Sequence, residues 1–265
     1  MRGGYLNLVE TQTKPPSAHA GARRRPDAML ARTNLFSRLP VDGLAAIARH
    51  AHERHTQRDS VIFRRGERDE NVYVVGYGYV ALSIHGEPGR ERVVELRGPG
   101  ESFGEESLIG EGASPCDAKM LSDGMLIVVP RQALLEVLDR QPALAHGILE
   151  NLARRTCELE QNIESHSMRS ALERVVSFLM YNLRAGDYTA QEFTLPVAKQ
   201  VIASLLNLTK DSFSRALREL TDAGLIQVRA RNIRVLDPQG LEAICFGAHG
   251  CTHCYGCARG GLAPS

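Results

Sequence analysis

The sequence predicts an α+β chain: an antiparallel β-roll or barrel, then a long amphipathic helix, then a helical domain closed by a β-hairpin. Three observations predict it. Short β-prone runs broken by glycine fill the chain from Arg58 to Val129. A helical apolar repeat replaces them from Pro142 onward. Nearer the C-terminus two short helical patterns meet at Asn207 and are followed by two alternating runs. The 265 residues suffice for two modest domains.

Residues 1–30 read as a solvated, disordered tail, with Pro15, Pro16, Gly21 and the run Arg23–Arg25 ahead of Pro26. Residues 31–140 form the β domain. Its strand candidates are Val61-Ile62-Phe63, Val72-Tyr73-Val74-Val75, Val80-Ala81-Leu82-Ser83-Ile84, Arg92-Val93-Val94-Glu95-Leu96 and Met125-Leu126-Ile127-Val128-Val129. Gly66, Gly76, Gly78, Gly86, Gly98 and Gly100 punctuate them, which suits a small roll.

Pro130 ends the last run, and Leu134, Leu135, Val137 and Leu138 begin helical texture. In the helix of residues 141–167, Ile148, Leu152, Thr156, Leu159 and Ile163 recur at steps of three or four. So narrow a seam suits pairing with a second copy of the helix, which makes these five the expected dimer interface. Packing of the same stripe against the β domain is the alternative. A second amphipathic helix, Ser170 to Leu183, opens a domain of residues 168–238.

Net charge is only +1, yet it is uneven. Between Thr194 and Leu236 seven basic residues (Lys199, Lys210, Arg215, Arg218, Arg229, Arg231, Arg234) face three acids (Asp211, Glu219, Asp222), a net of +4 that leaves −3 elsewhere. A basic segment on an acidic body suits contact with phosphate. Within it, a helix is expected to begin near Pro196, with Val201, Ile202 and Leu205 inward and Ala203 at a close helix approach. Asn207 tolerates the left-handed backbone of a tight turn. Thr209 is placed as the N-cap of the next helix, with Asp211 opposing its dipole. Phe213, Ala216, Leu217 and Leu220 make the buried stripe of that helix. Lys210, Asp211, Ser212, Ser214, Arg215 and Arg218 make its outer face. Gly224 closes it, and Leu225–Arg229 with Asn232–Leu236 read as a basic hairpin. Helix, tight turn, helix and basic wing are the parts of a winged helix-turn-helix, whose second helix enters the major groove. Lys199, Thr209, Lys210, Asp211, Ser212, Ser214, Arg215 and Arg218 are the DNA-binding candidates.

These residues resemble a known family. The stretch from Thr209 to Leu217, continued through Gly224-Leu225-Ile226, resembles the helix-turn-helix of Crp/Fnr regulators, in particular the Fnr and nitric-oxide-responsive branch. Arg64-Arg65-Gly66-Glu67, the run Tyr73 to Val80, and Gly100-Glu101-Ser102-Phe103-Gly104-Glu105 are similar to that family's cyclic-nucleotide-binding-type β-roll. The resemblance spans roughly residues 33 to 237. It implies a homodimeric transcription regulator on two-fold symmetric DNA, with RNA polymerase as a further partner. By family position Asp211, Ser214 and Arg215 contact bases, although Glu is usual where Asp211 stands. In cyclic-AMP-binding members an arginine and a serine hold the cyclic phosphate. Here the segment Gly112-Ala113-Ser114-Pro115-Cys116-Asp117 places Pro115 and Cys116 there, so no cyclic nucleotide is expected to bind.

The Cys-rich tail, residues 239–265, carries four of the six cysteines. Cys245-x5-Cys251-x2-Cys254-x2-Cys257 has the tight gaps of iron–sulfur ligation, and a [4Fe–4S] cluster sensing redox state, oxygen or nitric oxide is the favoured reading. Zinc, with His249 or His253 as further ligands, and a direct thiol switch remain open. So does haem in the β-roll, with His50, His52, His55 or His85 as axial ligand. Cys116 and Cys157 read as buried small hydrophobes. No export signal or apolar run of membrane-spanning length is visible, which places the chain in the cytoplasm. No nucleophile–base pair, P-loop or HExxH argues for an enzyme.

Overall fold

The structure, a computed structural model, describes residues 26–33, 35–86, 91–108, 113–185 and 192–246. These residues divide into two compact units, with the boundary between Arg154 and Arg155.

The first unit opens with helices α1 (Pro26–Leu30) and α2 (Val41–Ala48). Strands β1 (His52–Thr56), β2 (Val61–Phe63), β3 (Asn71–Tyr77), β4 (Val80–His85), β5 (Glu91–Arg97), β6 (Ser102–Phe103), β7 (Asp117–Met120) and β8 (Gly124–Pro130) follow. They form two four-stranded antiparallel sheets, ordered β1-β8-β3-β6 and β2-β7-β4-β5. Helices α3 (Arg131–Leu138) and α4 (Pro142–Met168) come next, and α4 carries the boundary between the units.

The central strands β3 and β8 are buried on both faces, and strand alternation shows how. Val72, Val74, Ile127 and Val129 join a core with Leu30, Phe36, Ile47, Leu134, Leu144 and Ile148 of the helical side. Tyr73, Val75, Leu126 and Val128 face the other way, into a core with Phe63, Leu82, Phe103 and Met120. Two-sided burial is why these segments read as unbroken apolar runs. Tyr73 stacks on Phe103 with ring centroids 5.1 Å apart and donates its hydroxyl to Asp69 at 2.6 Å. Burial, then the Asp69 hydrogen bond and charge, hold the Tyr73 phenol far above its ordinary pKa, so it stays neutral.

The second unit contains α5 (Ala171–Ala185), β9 (Glu192–Thr194), α6 (Lys199–Leu205), α7 (Lys210–Asp222), β10 (Ile226–Arg229), β11 (Asn232–Val235) and α8 (Pro238–Phe246). The strands form one antiparallel sheet in the order β10-β11-β9. Helix α5 packs against α7 and α8, and Val175, Val176, Phe178, Leu179, Ile202, Phe213, Leu220, Ile233 and Leu241 are buried.

Several expectations need correction. The tail ends before residue 30: Pro26–Leu30 is helical and Leu30 is fully buried in the helical-side core. Residues 1–25 lie outside the described residues. Pro196 does not open a helix. It sits in an extended segment between buried Leu195 and Val197, where the Leu195 N–H donates to the Arg231 carbonyl, and α6 starts only at Lys199. The Cys-rich segment begins as α8, which belongs to the second unit through buried Leu241. Ile148 is 7% exposed and lies in its own unit's core, so it faces inward; its neighbour Leu149, 65% exposed, faces out. Cys116 is buried as expected, whereas Cys157 is exposed.

Candidate nucleic-acid interface

The C-terminal unit assembles the expected reading motif from local rules. Helix α6 puts Ile202, Ala203 and Leu205 in the core, with Val201 half-buried. The chain then turns at Asn207, whose φ of 54° is in the left-handed region that asparagine tolerates. The Leu208 N–H returns to the Ala203 carbonyl at 2.8 Å and closes the turn. Thr209 then caps α7: its hydroxyl accepts from the Ser212 N–H at 3.1 Å and donates to the Ser212 hydroxyl at 2.9 Å. At the far end Gly224, with φ of 72°, completes a Schellman motif. There the Leu225 N–H bonds the Leu220 carbonyl and the Gly224 N–H bonds that of Thr221, each at 3.0 Å.

Between these caps α7 is strongly two-faced. Phe213, Ala216, Leu217 and Leu220 are buried, while Lys210, Asp211, Arg215 and Arg218 are exposed and Ser214 is half-buried. Among the described residues, the side chains of Lys210, Asp211, Ser214, Arg215 and Arg218 make no hydrogen bond or ion pair. Thr209 and Ser212, also among the DNA-binding candidates, are bonded to each other at the cap. Lys199 stands at the first position of α6, half-buried.

The wing forms with Ile226 opposite Val235 and Arg229 opposite Asn232, around Ala230 with φ of 54°. Its third strand, β9, was not expected from sequence. Three residues are too few for a periodic signal. The Thr194 hydroxyl donates to the Asn232 side-chain oxygen at 2.7 Å. Arg231 donates to the Pro196 carbonyl at 3.4 Å, so this wing arginine ties the sheet to the segment before α6. Arg229 and Arg234 are exposed.

In the β-roll unit the segment that the sequence resemblance places at the phosphate-binding stretch is engaged with its own chain at Ser114 and Asp117. Ser114 is buried, donates its N–H to the Glu67 carbonyl and accepts from Gly66. Asp117 accepts from the Arg65 N–H at 2.6 Å and pairs with His85 at 2.8 Å. Gly104 has φ of 88°, and a Cβ there would meet the Asn71 carbonyl at 2.8 Å, so only glycine fits this turn. Next to it Glu105 is 1% exposed; it accepts from Ser102 and, at 2.9 Å, from the Asn151 amide of α4. Asn151 accepts in turn from Arg154 at 2.6 Å. His50, His52, His55 and His85 are all exposed, so none of these imidazoles is presented to the interior of the roll. Cys251, Cys254 and Cys257 lie outside the described residues, as does the side chain of Cys245.

Comparison with known proteins agrees with both halves. Residues 53–141 match the cyclic nucleotide-binding domain, and residues 173–244 match the Crp-like helix-turn-helix domain. The cyclic AMP receptor protein of Thermus thermophilus is 31% identical over 186 residues, covering 70% of this chain and 84% of that protein. The transcriptional activator protein FnrA of Stutzerimonas stutzeri is 25% identical, covering 74% of this chain and 81% of its own length. The solved structure of FixK2 from Bradyrhizobium japonicum superposes with a TM-score of 0.67 at 26% identity, over 73% of this chain and 96% of that one. No helix among the described residues is long and apolar enough to cross a membrane. With a reading motif of this geometry and relatives that are themselves regulators, the chain belongs to the Crp/Fnr family of DNA-binding transcription regulators.

Proposed function

We propose that the protein binds a two-fold symmetric operator as a homodimer through α7 and answers redox state, oxygen or nitric oxide through an iron–sulfur cluster. The observation that carries the DNA reading is the outer face of α7: five polar side chains with no partner among the described residues, on a helix capped at both ends. Arg215 has the planar fork for a guanine edge, and Asp211 accepts from a cytosine amino group. Lys210 and Arg218 meet phosphates, which fix register. Arg215→Ala leaves stability unchanged because the side chain is exposed. It lowers discrimination against a mutated operator by about 1–3 kcal/mol, read by titration at matched salt. Selectivity equal to that of the parent would sink the reading.

Dimerisation is supported by α4. Leu149, Leu159 and Ile163 are exposed apolar residues, and with Leu152 and exposed Thr156 they recur at alternating steps of three and four. That stripe is the surface proposed for a second copy. RNA polymerase is the proposed protein partner on DNA.

Signal reception is assigned to Cys245, Cys251, Cys254 and Cys257. Four thiolates with two-residue gaps are a donor set suited to a [4Fe–4S] cluster, whose chemistry would be reversible oxidation or nitrosylation. Helix α8 supports this assignment, because it ties the start of the cysteine tail to the DNA-binding unit. In the β-roll, Pro115 lacks a backbone donor and Asp117 adds a carboxylate beside the stretch that binds phosphate in cyclic-AMP-binding members. Both oppose a cyclic nucleotide. Iron and sulfide contents of anaerobically prepared protein test the sensor. About four of each per chain is expected; a colourless protein holding one zinc, or no metal, replaces the cluster by a zinc site or a thiol switch.

A further inference from the structure

The turn between α6 and α7 has its N–H groups and its carbonyls satisfied from different sides. The N–H groups of Leu206, Asn207 and Leu208 donate back to Ile202, Ser204 and Ala203. The carbonyls of Leu206 and Asn207 face α5 instead. Arg174 of α5 donates Nη1 to both, at 3.0 Å and 3.2 Å. These carbonyls lie at the C-terminal end of α6, where unpaired acceptors concentrate partial negative charge. A guanidinium there satisfies two acceptors and opposes the dipole with one group.

The position of Arg174 is itself fixed. The Ser170 N–H donates to the Glu173 carboxylate at 2.6 Å, and the Glu173 N–H donates to the Ser170 hydroxyl at 3.2 Å. This reciprocal pair is a capping box that sets the start of α5 at Ala171, three residues before Arg174. On the other side, Thr209 and the first turn of α7 follow the clamped carbonyls within three residues. A left-handed residue, Asn207, sits at the clamp itself. Loosening these carbonyls would let that φ relax and change the direction in which α7 leaves the turn.

We infer that Arg174 is a positioning residue for DNA reading: from α5 it locks the turn so that the polar face of α7 is presented in one orientation, without contacting DNA. The inference rests on α7 being the reading helix. Binding energy at a protein–DNA interface divides into a phosphate part that depends steeply on salt and a base-reading part that depends on geometry. A turn clamp acts on the second alone.

The test uses the full chain, a duplex selected by it from a random-sequence library, and a shuffled duplex of the same composition. Arg174→Met should lower the ratio of specific to shuffled binding about ten-fold or more. Affinity for the shuffled duplex and the slope of log K against log salt should not change. Exchange of the Leu208 amide should accelerate about ten-fold while β-roll amides keep their rates. Arg174→Lys keeps a cation and a donor and should recover most of the selectivity. Should Arg174→Met fail to fold, Arg174→Gln, which loses the charge and the reach, carries the same expectation. A salt slope shallower by about one would make Arg174 a phosphate contact and overturn the inference. So would parental selectivity in a folded Met or Gln variant. Arg215→Ala in the same assay separates the two readings: if it too keeps full selectivity, α7 is not the reading helix.

Discussion

The polar network of the β-roll unit and the outer face of α7 in the other unit treat their side chains in opposite ways. In the β-roll unit they are turned on one another: Glu105 on Ser102 and Asn151, Tyr73 and Asn71 on Asp69, Asp117 on His85 and the Arg65 N–H. Along the outer face of α7, Lys210, Asp211, Ser214, Arg215 and Arg218 engage nothing among the described residues, although the helix beneath them is capped and packed. A polar group satisfied inside the fold adds to stability and fixes one arrangement of the chain. A polar group held on a rigid frame without a partner adds little to stability and is available to an external ligand. The contrast predicts that substitutions in the β-roll network and on the outer face of α7 separate stability from binding.

The largest effect tests the frame. Phe213 is fully buried on the inner side of α7. Phe213→Ala should cost the C-terminal unit about 3–5 kcal/mol, read by denaturant unfolding. Operator binding should disappear with it, because the outer face then has no fixed geometry. Arg215→Ala gives the complementary result, with selectivity lost and stability kept. Were the Phe213 variant to bind selectively, the reading face would not need its frame, and the contrast between the units would fail.

A smaller effect is expected inside the β-roll network. Asn151→Leu removes the amide that donates to the buried Glu105 carboxylate and the acceptor of Arg154. Hydrogen bonds to charged groups are worth about 1.5–3 kcal/mol, so the unfolding free energy of this unit should fall by about that amount. Glu105→Gln in the Asn151→Leu background removes the charge and should recover part of the loss. A neutral Asn151→Leu variant would mean that the Asn151 amide adds no stability to this unit.

How far the sequence revealed this arrangement depended on burial. Helix α7 was legible because a single apolar stripe, a threonine cap and a closing glycine all agree over thirteen residues. Strands β3 and β8 were legible because both faces are buried, leaving unbroken apolar runs. Strand β1, His-Glu-Arg-His-Thr, was not: it is a sheet edge with four exposed residues, held by its backbone ladder to β8. Nothing in such a pattern alternates. Helix α4 misled by one residue. It carries an inward stripe, Leu144, Ile148 and Asn151, beside an outward one, Leu149, Thr156 and Ile163, and periodicity alone merges them. The Arg174 clamp left only an indirect signal, the Ser170-x-x-Glu173 capping box, which fixes where α5 starts but not what its side chains reach.

The smallest effect sharpens the division within α7 itself. Thr209 and Ser212 lie on the reading helix, yet their side chains bond to each other and to the backbone at the cap. By the same logic they should behave like the β-roll network and unlike Arg215. Thr209→Ala removes the acceptor of the Ser212 N–H and should lower stability by about 1 kcal/mol. The ratio of specific to shuffled DNA binding should stay within about two-fold of the parent, since no base-reading group is lost. Thr209→Ser, which keeps the hydroxyl, should restore the stability. A Thr209→Ala protein that is as stable as the parent but tenfold less selective would place this hydroxyl on the DNA, and would move the border between framework and reading face one turn toward the helix start.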